Sequence, residues 1–199
     1  MSPLLIATNN HGKQVEIRSL LKDLHQEILM PDDLGLHLEV KEDGTTYREN
    51  AAKKALAFAA ATGLPALADD TGLEVAALGG APGLYSARFA PQPNATDADR
   101  RAYLLERLKT HPQPWMAQFR CIVALATPEG SLEFTEGLCE GEIIPIERGT
   151  HGFGYDPIFQ ISSLGQTMAE LTMEEKNHLS HRALAVKAAY PLIKKIGLP

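Results

Sequence analysis

The stretch PALADDTGLEVAALGGAPGLYSARFA, residues 65–90, passes from the apolar run Ala66 to Ala68 directly into two acids, Asp69 and Asp70. The apolar run predicts a buried strand, and charged side chains at its end cost desolvation unless a partner or ligand compensates them. Ligands of α/β proteins commonly bind at the carboxyl ends of strands. If the chain is still extended there, successive side chains point to opposite faces. The two acids are therefore predicted to lie at a ligand site and to have different roles.

The segments on both sides of this stretch predict interleaved strands and helices. Strands are predicted at residues 4–8, 36–40, 118–126, 131–137 and 141–146. Helices are predicted for the segment containing Ile17, Leu20, Leu21 and Leu24, for residues 47–61, for a segment capped by Thr96 and Asp99 and ending at Leu108, and for residues 181–196 with a bend near Pro191. Helices and strands alternate at first and strands cluster later. This order favours a mixed α/β fold over a regular doubly wound sheet.

The bulk properties of the chain restrict the class of function. Its 199 residues suggest one domain, or two closely joined lobes. The net charge of −6 argues against broad binding to nucleic acid. Cys121 and Cys139 have no metal-type spacing and are predicted to be buried thiols. The N-terminal apolar run is too short for a signal peptide or a membrane span, so we expect a cytoplasmic protein without membrane contact.

The segment ATNNHGKQVEI, residues 7–17, combines a strand, a polar turn and the start of a helix. Backbone N–H groups at a helix start and a lysine ammonium both favour anions, so the segment predicts a phosphate site. It is not a Walker A loop, since Ala7 and Gln14 stand where that pattern needs Gly and Ser or Thr. A capped helix with a surface lysine remains the alternative. The candidate residues are Thr8, Asn9, Asn10, His11, Gly12 and Lys13.

Acidic residues near the predicted helix of residues 47–61 suggest a hard cation. Glu42 precedes a turn, Lys53 lies within the helix, and Asp69 and Asp70 follow the next strand. Mg²⁺ takes carboxylate oxygens and shares its remaining positions with water and substrate phosphates. The alternative is that these acids are solvated turn residues.

Two later segments carry groups suited to a base. GTHGFGYDPIF, residues 149–159, places glycines around Phe153, whose ring can stack on a base, and Asp156 can accept from ring N–H groups. The alternative is a tight turn with a core phenylalanine. EEKNHLSHRALAVK, residues 174–187, carries the donors Lys176, His181 and Arg182, whose alternative is a solvated helix start.

Six pieces together resemble one family, the inosine/xanthosine triphosphate pyrophosphatases. They occur in the order of that family and cover most of the chain: TNNHGK, ENAAKKA, LADDTGLEV, GGAPGLYSARFA, GFGYDPIF and ELTMEEKNHLSHR. The resemblance implies an elongated α/β domain, residues 1–199, with a mixed sheet, flanking helices and two lobes around a central substrate cleft. It also implies a homodimer that hydrolyses a purine nucleoside triphosphate to the monophosphate and pyrophosphate with Mg²⁺.

Roles for individual residues follow from the same resemblance. Residues 8–13 would hold the phosphates with help from Lys53. Glu42 and Asp69 would hold Mg²⁺, and Asp69 would also orient or deprotonate the attacking water. Asp70 would lie in the substrate site, and turnover would be more sensitive to Asp69→Asn than to Asp70→Asn. The base would be stacked by Phe153, enclosed by Gly154, Tyr155 and Asp156, and read at its edge by Lys176, His181 and Arg182.

Two other functions are open at this stage. A Maf-type pyrophosphatase would act on pyrimidine or methylated nucleotides, but the GFGYDPIF and SHR segments argue against it. A nucleotide- or RNA-binding regulatory module is disfavoured by the acidic charge and by the lack of interleaved basic and aromatic residues.

Overall fold

Strands and helices interleave along the chain in the computed structural model, which describes residues 2–196. In that range the strands are β1 Leu4–Ile6, β2 Ile28–Leu29, β3 Ala66–Val75, β4 Pro82–Gly83, β5 Trp115–Ala126, β6 Leu132–Ile143 and β7 Phe159–Ile161. The α-helices are α1 His11–Leu21, α2 Tyr47–Thr62, α3 Asp97–Leu108, α4 Met173–Leu179 and α5 His181–Ile196. No helix in the described range is long and apolar enough to cross a membrane.

The strands form one mixed sheet with the order β2-β1-β3-β5-β6-β7, and β4 pairs with β3. β1 is parallel to both of its neighbours, and its pairing with β3 ends where Ile6 lies opposite Leu67. β3 pairs with β4, and β6 with β7, in antiparallel fashion. The predicted mixed α/β fold is confirmed.

The chain divides into two compact units. Unit one contains the described residues up to Asp70, Cys121–Gly137, and those from His181 onward. Unit two contains Thr71–Arg120 and Leu138–Ser180. The chain leaves unit one within β3, directly after the two aspartates.

Unit one has apolar side chains on both faces of its strands, because both faces are covered by helices. Leu4, Ile6 and Leu67 belong to a cluster with residues of α1 and α5. Leu5, Ala66 and Ala68 belong to a second cluster with residues of α2. A strand buried on both faces reads as a continuous apolar run rather than as an alternating one.

Unit two has a core of its own beneath α3. Leu104 and Leu108 of this helix are fully buried with Leu73 of β3 and Phe159 of β7. Thr96 caps α3 by accepting from the Asp99 N–H, and the Asp99 side chain accepts in return from the Thr96 N–H. This capping box was predicted from the sequence, and Thr172 and Glu175 form an equivalent capping box at α4.

Three sequence predictions about strands are wrong. Residues 36–40 form no strand, although their pattern alternates. The predicted strands at residues 131–137 and 141–146 are one strand, β6, which ends at Ile143. β3 does not end at the aspartates but continues to Val75.

The glycines of β6 explain the second of these errors. A Cβ on Gly137 would lie 2.1 Å from the His181 carbonyl oxygen, and a Cβ on Gly141 would lie 2.3 Å from the Gln160 carbonyl oxygen. Glycine inside a strand often marks a place where another backbone comes close. Both glycines therefore allow close packing and do not end the strand.

Candidate functional site

The turn between β1 and α1 ends in an N-cap of α1. The Asn10 side chain accepts a hydrogen bond from the Lys13 N–H at 3.0 Å, and the Thr8 hydroxyl accepts one from the Asn10 N–H at 3.2 Å. Asn, Asp, Ser and Thr are the preferred residues at such a cap because their side chains satisfy the first N–H groups of the helix. The cap directs the Lys13 side chain to Asp69, where its Nζ lies 3.0 Å from Oδ2.

Asp69 is fully buried and takes part in an ionic network. Its carboxylate receives the Lys13 ammonium, the Arg182 Nε at 3.2 Å, and the thiol of Cys121 at 3.9 Å. Arg182 also donates to Glu16, which is buried as well. Burial alone would lower the pKa of the Arg182 guanidinium, but the two carboxylates outweigh this effect and raise it. The Arg182 guanidinium therefore stays charged over the physiological range.

Asp70 points to the opposite face of β3, toward α2. It accepts a hydrogen bond from the Asn50 amide at 3.2 Å, and its Oδ1 lies 3.7 Å from the Lys54 Nζ. Burial raises the pKa of Asp70, although the ammonium groups of Lys54 and Lys13 oppose that rise. The contacts of the two aspartates thus agree with the predicted alternation along an extended chain.

Lys54 joins several acceptors at one point. Its Nζ lies 2.6 Å from Glu42 Oε1 and donates to the Asp69 carbonyl oxygen at 2.7 Å, in addition to its contact with Asp70. Burial lowers the pKa of this lysine, but the nearby carboxylates outweigh burial and raise it. One buried ammonium is accordingly shared by the carboxylates of Glu42 and Asp70.

Lys53, which the sequence analysis selected, does not join this cluster. Its ammonium contacts Asp43 at the surface, where the hydrogen bonds from Lys53 and Lys41 lower the pKa of Asp43 to about 2. Successive helix residues point about 100° apart, so only one of two adjacent lysines can face the strand. The sequence contains a signal for the choice, since Asn50 and Lys54 lie one helical turn apart on the buried face that Ala51 and Phe58 share.

The donor chemistry of this cluster fits a hard divalent cation. Glu42 and Asp70 supply carboxylate oxygens around one shared cationic partner, and Mg²⁺ prefers such oxygens. Within residues 2–196 no three side chains of His, Cys, Asp or Glu are grouped as a ready-made metal site. A cation here would therefore take one or two carboxylates and complete its coordination with other oxygens, as Mg²⁺ commonly does.

Unit two contains the residues predicted to bind the base, around the turn at residues 152–156. Asp156 Oδ2 accepts from the Phe153 N–H at 3.2 Å and from the Lys176 Nζ at 2.8 Å. Gly152 has a φ of +78°, and a Cβ there would lie 2.0 Å from Asp156 Oδ2. Only glycine fits this backbone position beside the buried ion pair.

The last predicted donors divide between the two units. Lys176 belongs to the turn of unit two, whereas His181 and Arg182 begin α5 in unit one. The predicted use of Arg182 at a base edge is not what its contacts show, because its guanidinium donates to Asp69 and Glu16. The sequence analysis did not find the buried partner Glu16. This residue lies 166 positions from Arg182 along the chain, and its neighbours in the sequence read as an ordinary helix with an exposed acid.

The structure thus defines a mixed α/β protein in which lysines and carboxylates meet beyond the end of a short parallel strand. The family model of the Ham1 family matches residues 4–192. The chain therefore belongs to the Ham1 family.

Individual relatives match over nearly their full length. A dITP/XTP pyrophosphatase of Desulforamulus reducens is 48% identical over 194 residues, which cover 97% of this chain and 96% of the relative. One of Geobacter sulfurreducens is 48% identical and covers 94% of each chain. Among solved structures, a HAM1 protein from Coxiella burnetii has a TM-score of 0.87 at 40% identity, covering 98% of this chain and all of that one. The Staphylococcus aureus Ham1 protein has a TM-score of 0.84 at 36% identity.

Proposed function

We propose that the chain is a nucleoside triphosphate pyrophosphatase that hydrolyses deaminated purine nucleotides, ITP, dITP and XTP, to the monophosphate and pyrophosphate. The observation that carries the proposal is the placement of Lys13 and Lys54 around the paired aspartates beyond the end of β1. This arrangement offers cations to a polyphosphate and carboxylates to a metal at one place. Relatives named dITP/XTP pyrophosphatase, 48% identical over almost the whole chain, support the substrate class.

The phosphates are assigned to residues 8–13 and to Lys54. N–H groups at the start of α1 and two ammonium groups neutralise a triphosphate locally, although the chain as a whole carries −6. Lys54 replaces Lys53 in this assignment because its ammonium is the one inside the cluster. Lys53 is left with a surface pair to Asp43.

Glu42 and Asp70 are assigned to Mg²⁺. When bound, the metal would neutralise charge that develops on the phosphate oxygens. We transfer the metal and water roles from Asp69 to Asp70, because the Asp69 side chain is fully buried and its Oδ2 contacts Arg182, Lys13 and Cys121.

The chain's own residues then divide the chemical work. Asp70 accepts a proton from a water that attacks the α-phosphorus, and the bond from that phosphorus to the bridging oxygen of the leaving pyrophosphate breaks. Lys13 and Lys54 stabilise the pyrophosphate as it leaves. Arg182 and Glu16 keep the Asp69 segment of β3 in position.

The base is assigned to unit two. Phe153 stacks on the purine, and Gly154 and Tyr155 shape its pocket. Asp156 accepts from the ring N–H, and Lys176 donates to the 6-oxo group. Adenine presents a 6-amino group there, and a site whose buried donors are left unpaired rejects the wrong base by up to about 10⁴-fold. A contact of His181 with the base stays a prediction.

The test is a nucleotide panel scored for pyrophosphate. With Mg²⁺, ITP, dITP and XTP are expected to release pyrophosphate rather than orthophosphate, with far slower turnover of ATP, UTP and dTTP. EDTA should stop the release, and added Mg²⁺ should restore it. Orthophosphate as the first product would contradict the proposal, and preference for UTP or dTTP would favour the Maf-type alternative.

Location and assembly are part of the same proposal. We expect the protein to act in the cytoplasm, in line with its two buried free thiols. We expect a homodimer, in line with its resemblance to the pyrophosphatases. Light scattering after size-exclusion chromatography should give about twice the mass of 21.6 kDa.

A further inference from the structure

Both backbone hydrogen-bonding groups of Gly154 are held by side chains of α3. The Gly154 N–H donates to Asp97 Oδ2 at 2.7 Å, and Arg101 Nη1 donates to the Gly154 carbonyl oxygen at 2.9 Å. Each residue has only one such donor and one acceptor. The peptide groups on both sides of Gly154 are thus fixed by residues more than fifty positions away.

Arg101 is itself held in place. Glu147 receives its Nε at 2.8 Å and its Nη2 at 3.0 Å, which is the bidentate geometry that orients a guanidinium. The Arg101 side chain is only 13% exposed. Asp97, Arg101 and Glu147 therefore form a frame around one glycine, and we call these three residues the Gly154 frame.

The frame acts next to the residues assigned to the base. Phe153 directly precedes Gly154, and Asp156 follows two residues after it. Asp156 Oδ2 accepts hydrogen bonds from the Phe153 N–H and from the Lys176 ammonium. Gly154 has a φ of +63° and nothing within 4 Å of the position of a Cβ. A side chain at this position would enter open space, and the two hydrogen bonds fix the peptide groups through which Phe153 leaves the turn.

We propose that the Gly154 frame consists of positioning residues that set the selectivity of the enzyme among purine bases. Discrimination by hydrogen bonds requires donors and acceptors that cannot shift to suit the wrong base. A turn held at Gly154 on one side and at Asp156 on the other presents Phe153 and Asp156 in one orientation. The inference rests on the proposed function, since it concerns the base of that substrate.

The test compares variants in the same helix, α3. Asp97→Ala removes the acceptor for Gly154, and Arg101→Met removes the donor while keeping much of the side-chain length. Asp99→Ala is the matched control, because Asp99 lies in the same first turn and contacts Thr96 instead of Gly154. The readout is the ratio of kcat/KM for ITP to that for ATP, with the melting temperature measured alongside.

Asp97→Ala and Arg101→Met are expected to lower this ratio about tenfold or more, mainly through a higher KM for ITP. Asp99→Ala should leave the ratio unchanged even where it lowers the melting temperature. Asp97→Asn keeps a side-chain oxygen acceptor and should retain most of the selectivity.

Two results would overturn the inference. The first is an ITP-to-ATP ratio of kcat/KM in both Asp97→Ala and Arg101→Met that equals the wild-type ratio. The second is a decrease of this ratio in Asp99→Ala as large as in the other two variants, which would show that the frame acts only by stabilising the helix. Failure of the proposed function is distinguishable, since the wild type itself would then release no pyrophosphate from ITP. Should Asp97→Ala not fold, Arg101→Met decides alone.

Discussion

The carboxylate of Asp69 contacts Arg182, Lys13 and a thiol, and its side chain has no exposed surface. The carboxylate of the next residue, Asp70, contacts Asn50 and Lys54 on the other face of β3. The side-chain alternation of a strand gives two neighbouring residues of the same type different partners. One aspartate is consequently part of an ionic network with α1 and α5, and the other contacts α2.

The two aspartates should fail in different ways when neutralised. Asp69→Asn leaves Arg182 and Lys13 short of a buried counter-charge, and we expect a loss of about 3 kcal/mol in the free energy of unfolding. Asp70→Asn should instead lower kcat by about a hundredfold while changing stability little. Chemical unfolding and steady-state kinetics on both variants provide the measurement. A stable Asp69→Asn with a larger kinetic loss than Asp70→Asn would restore the role that the sequence suggested for Asp69.

The adjacent lysines offer a second matched pair. Lys54→Met removes the ammonium shared by Glu42 and Asp70 and should lower kcat/KM for ITP by about a hundredfold. Lys53→Met removes a surface pair with Asp43, and surface ion pairs contribute little. Its kcat/KM should stay close to that of the wild type. An equal effect of both substitutions would contradict the assignment to Lys54.

At the scale of elements, the turn before Asp156 depends on glycine for two separate reasons. Gly152 and Gly154 both have positive φ, but only at Gly152 would a Cβ meet the Asp156 carboxylate and the Lys176 ammonium. A substitution at Gly154 thus introduces backbone strain alone. A substitution at Gly152 introduces the same kind of strain and also a steric clash with a buried ion pair.

Gly152→Ala should accordingly lower the melting temperature more than Gly154→Ala and raise KM for ITP more. Replacing a glycine of positive φ costs on the order of 1 kcal/mol by itself, and the collision adds to that cost. Thermal unfolding and kinetics of the two single variants separate the contributions. Equal losses in both variants would show that the ion pair moves aside freely.

At the scale of the whole molecule, capping carboxylates make the fold sensitive to acid. The backbone N–H of Thr167 lowers the pKa of Glu170, and that of Thr172 lowers the pKa of Glu175. Because the folded state holds these carboxylates deprotonated below their ordinary value of 4.5, unfolding takes up protons there. Their contribution to stability is present above about pH 4.5 and is lost as the pH falls through the lowered pKa values.

When the pH is lowered from about 6 to about 3, the melting temperature of the double variant Glu170→Gln with Glu175→Gln should decrease less than that of the wild type. Glu174→Gln is the control, because it makes the same change of charge in the first turn of α4, where Glu174 accepts no capping hydrogen bond among those of the described chain. Melting temperatures across this pH range provide the measurement. An identical pH dependence in the double variant and the wild type would refute the assignment.

The features that could be predicted are those whose signal is local. The apolar run of β1, the helix of residues 47–62 and the capping box of Thr96 and Asp99 each depend on residues a few positions apart. The motifs that made Asp70, Lys13 and Asp156 candidate site residues are local as well, and their roles stay predictions. The position of the Lys53 ammonium outside the cluster and the continuity of β6 through its glycines could not be predicted, because both depend on what packs against the segment.

The sequence by itself determined the mixed α/β class, most helix boundaries and the residue types that can hold a polyphosphate, a cation and a base. Only the tertiary structure decided which carboxylate faces which cation, because Arg182 reaches Asp69 across 113 positions and Glu16 across 166. It also decided that α3 holds Gly154. Propensity and periodicity act over one or two turns of chain, whereas burial of charge depends on segments that meet only after folding.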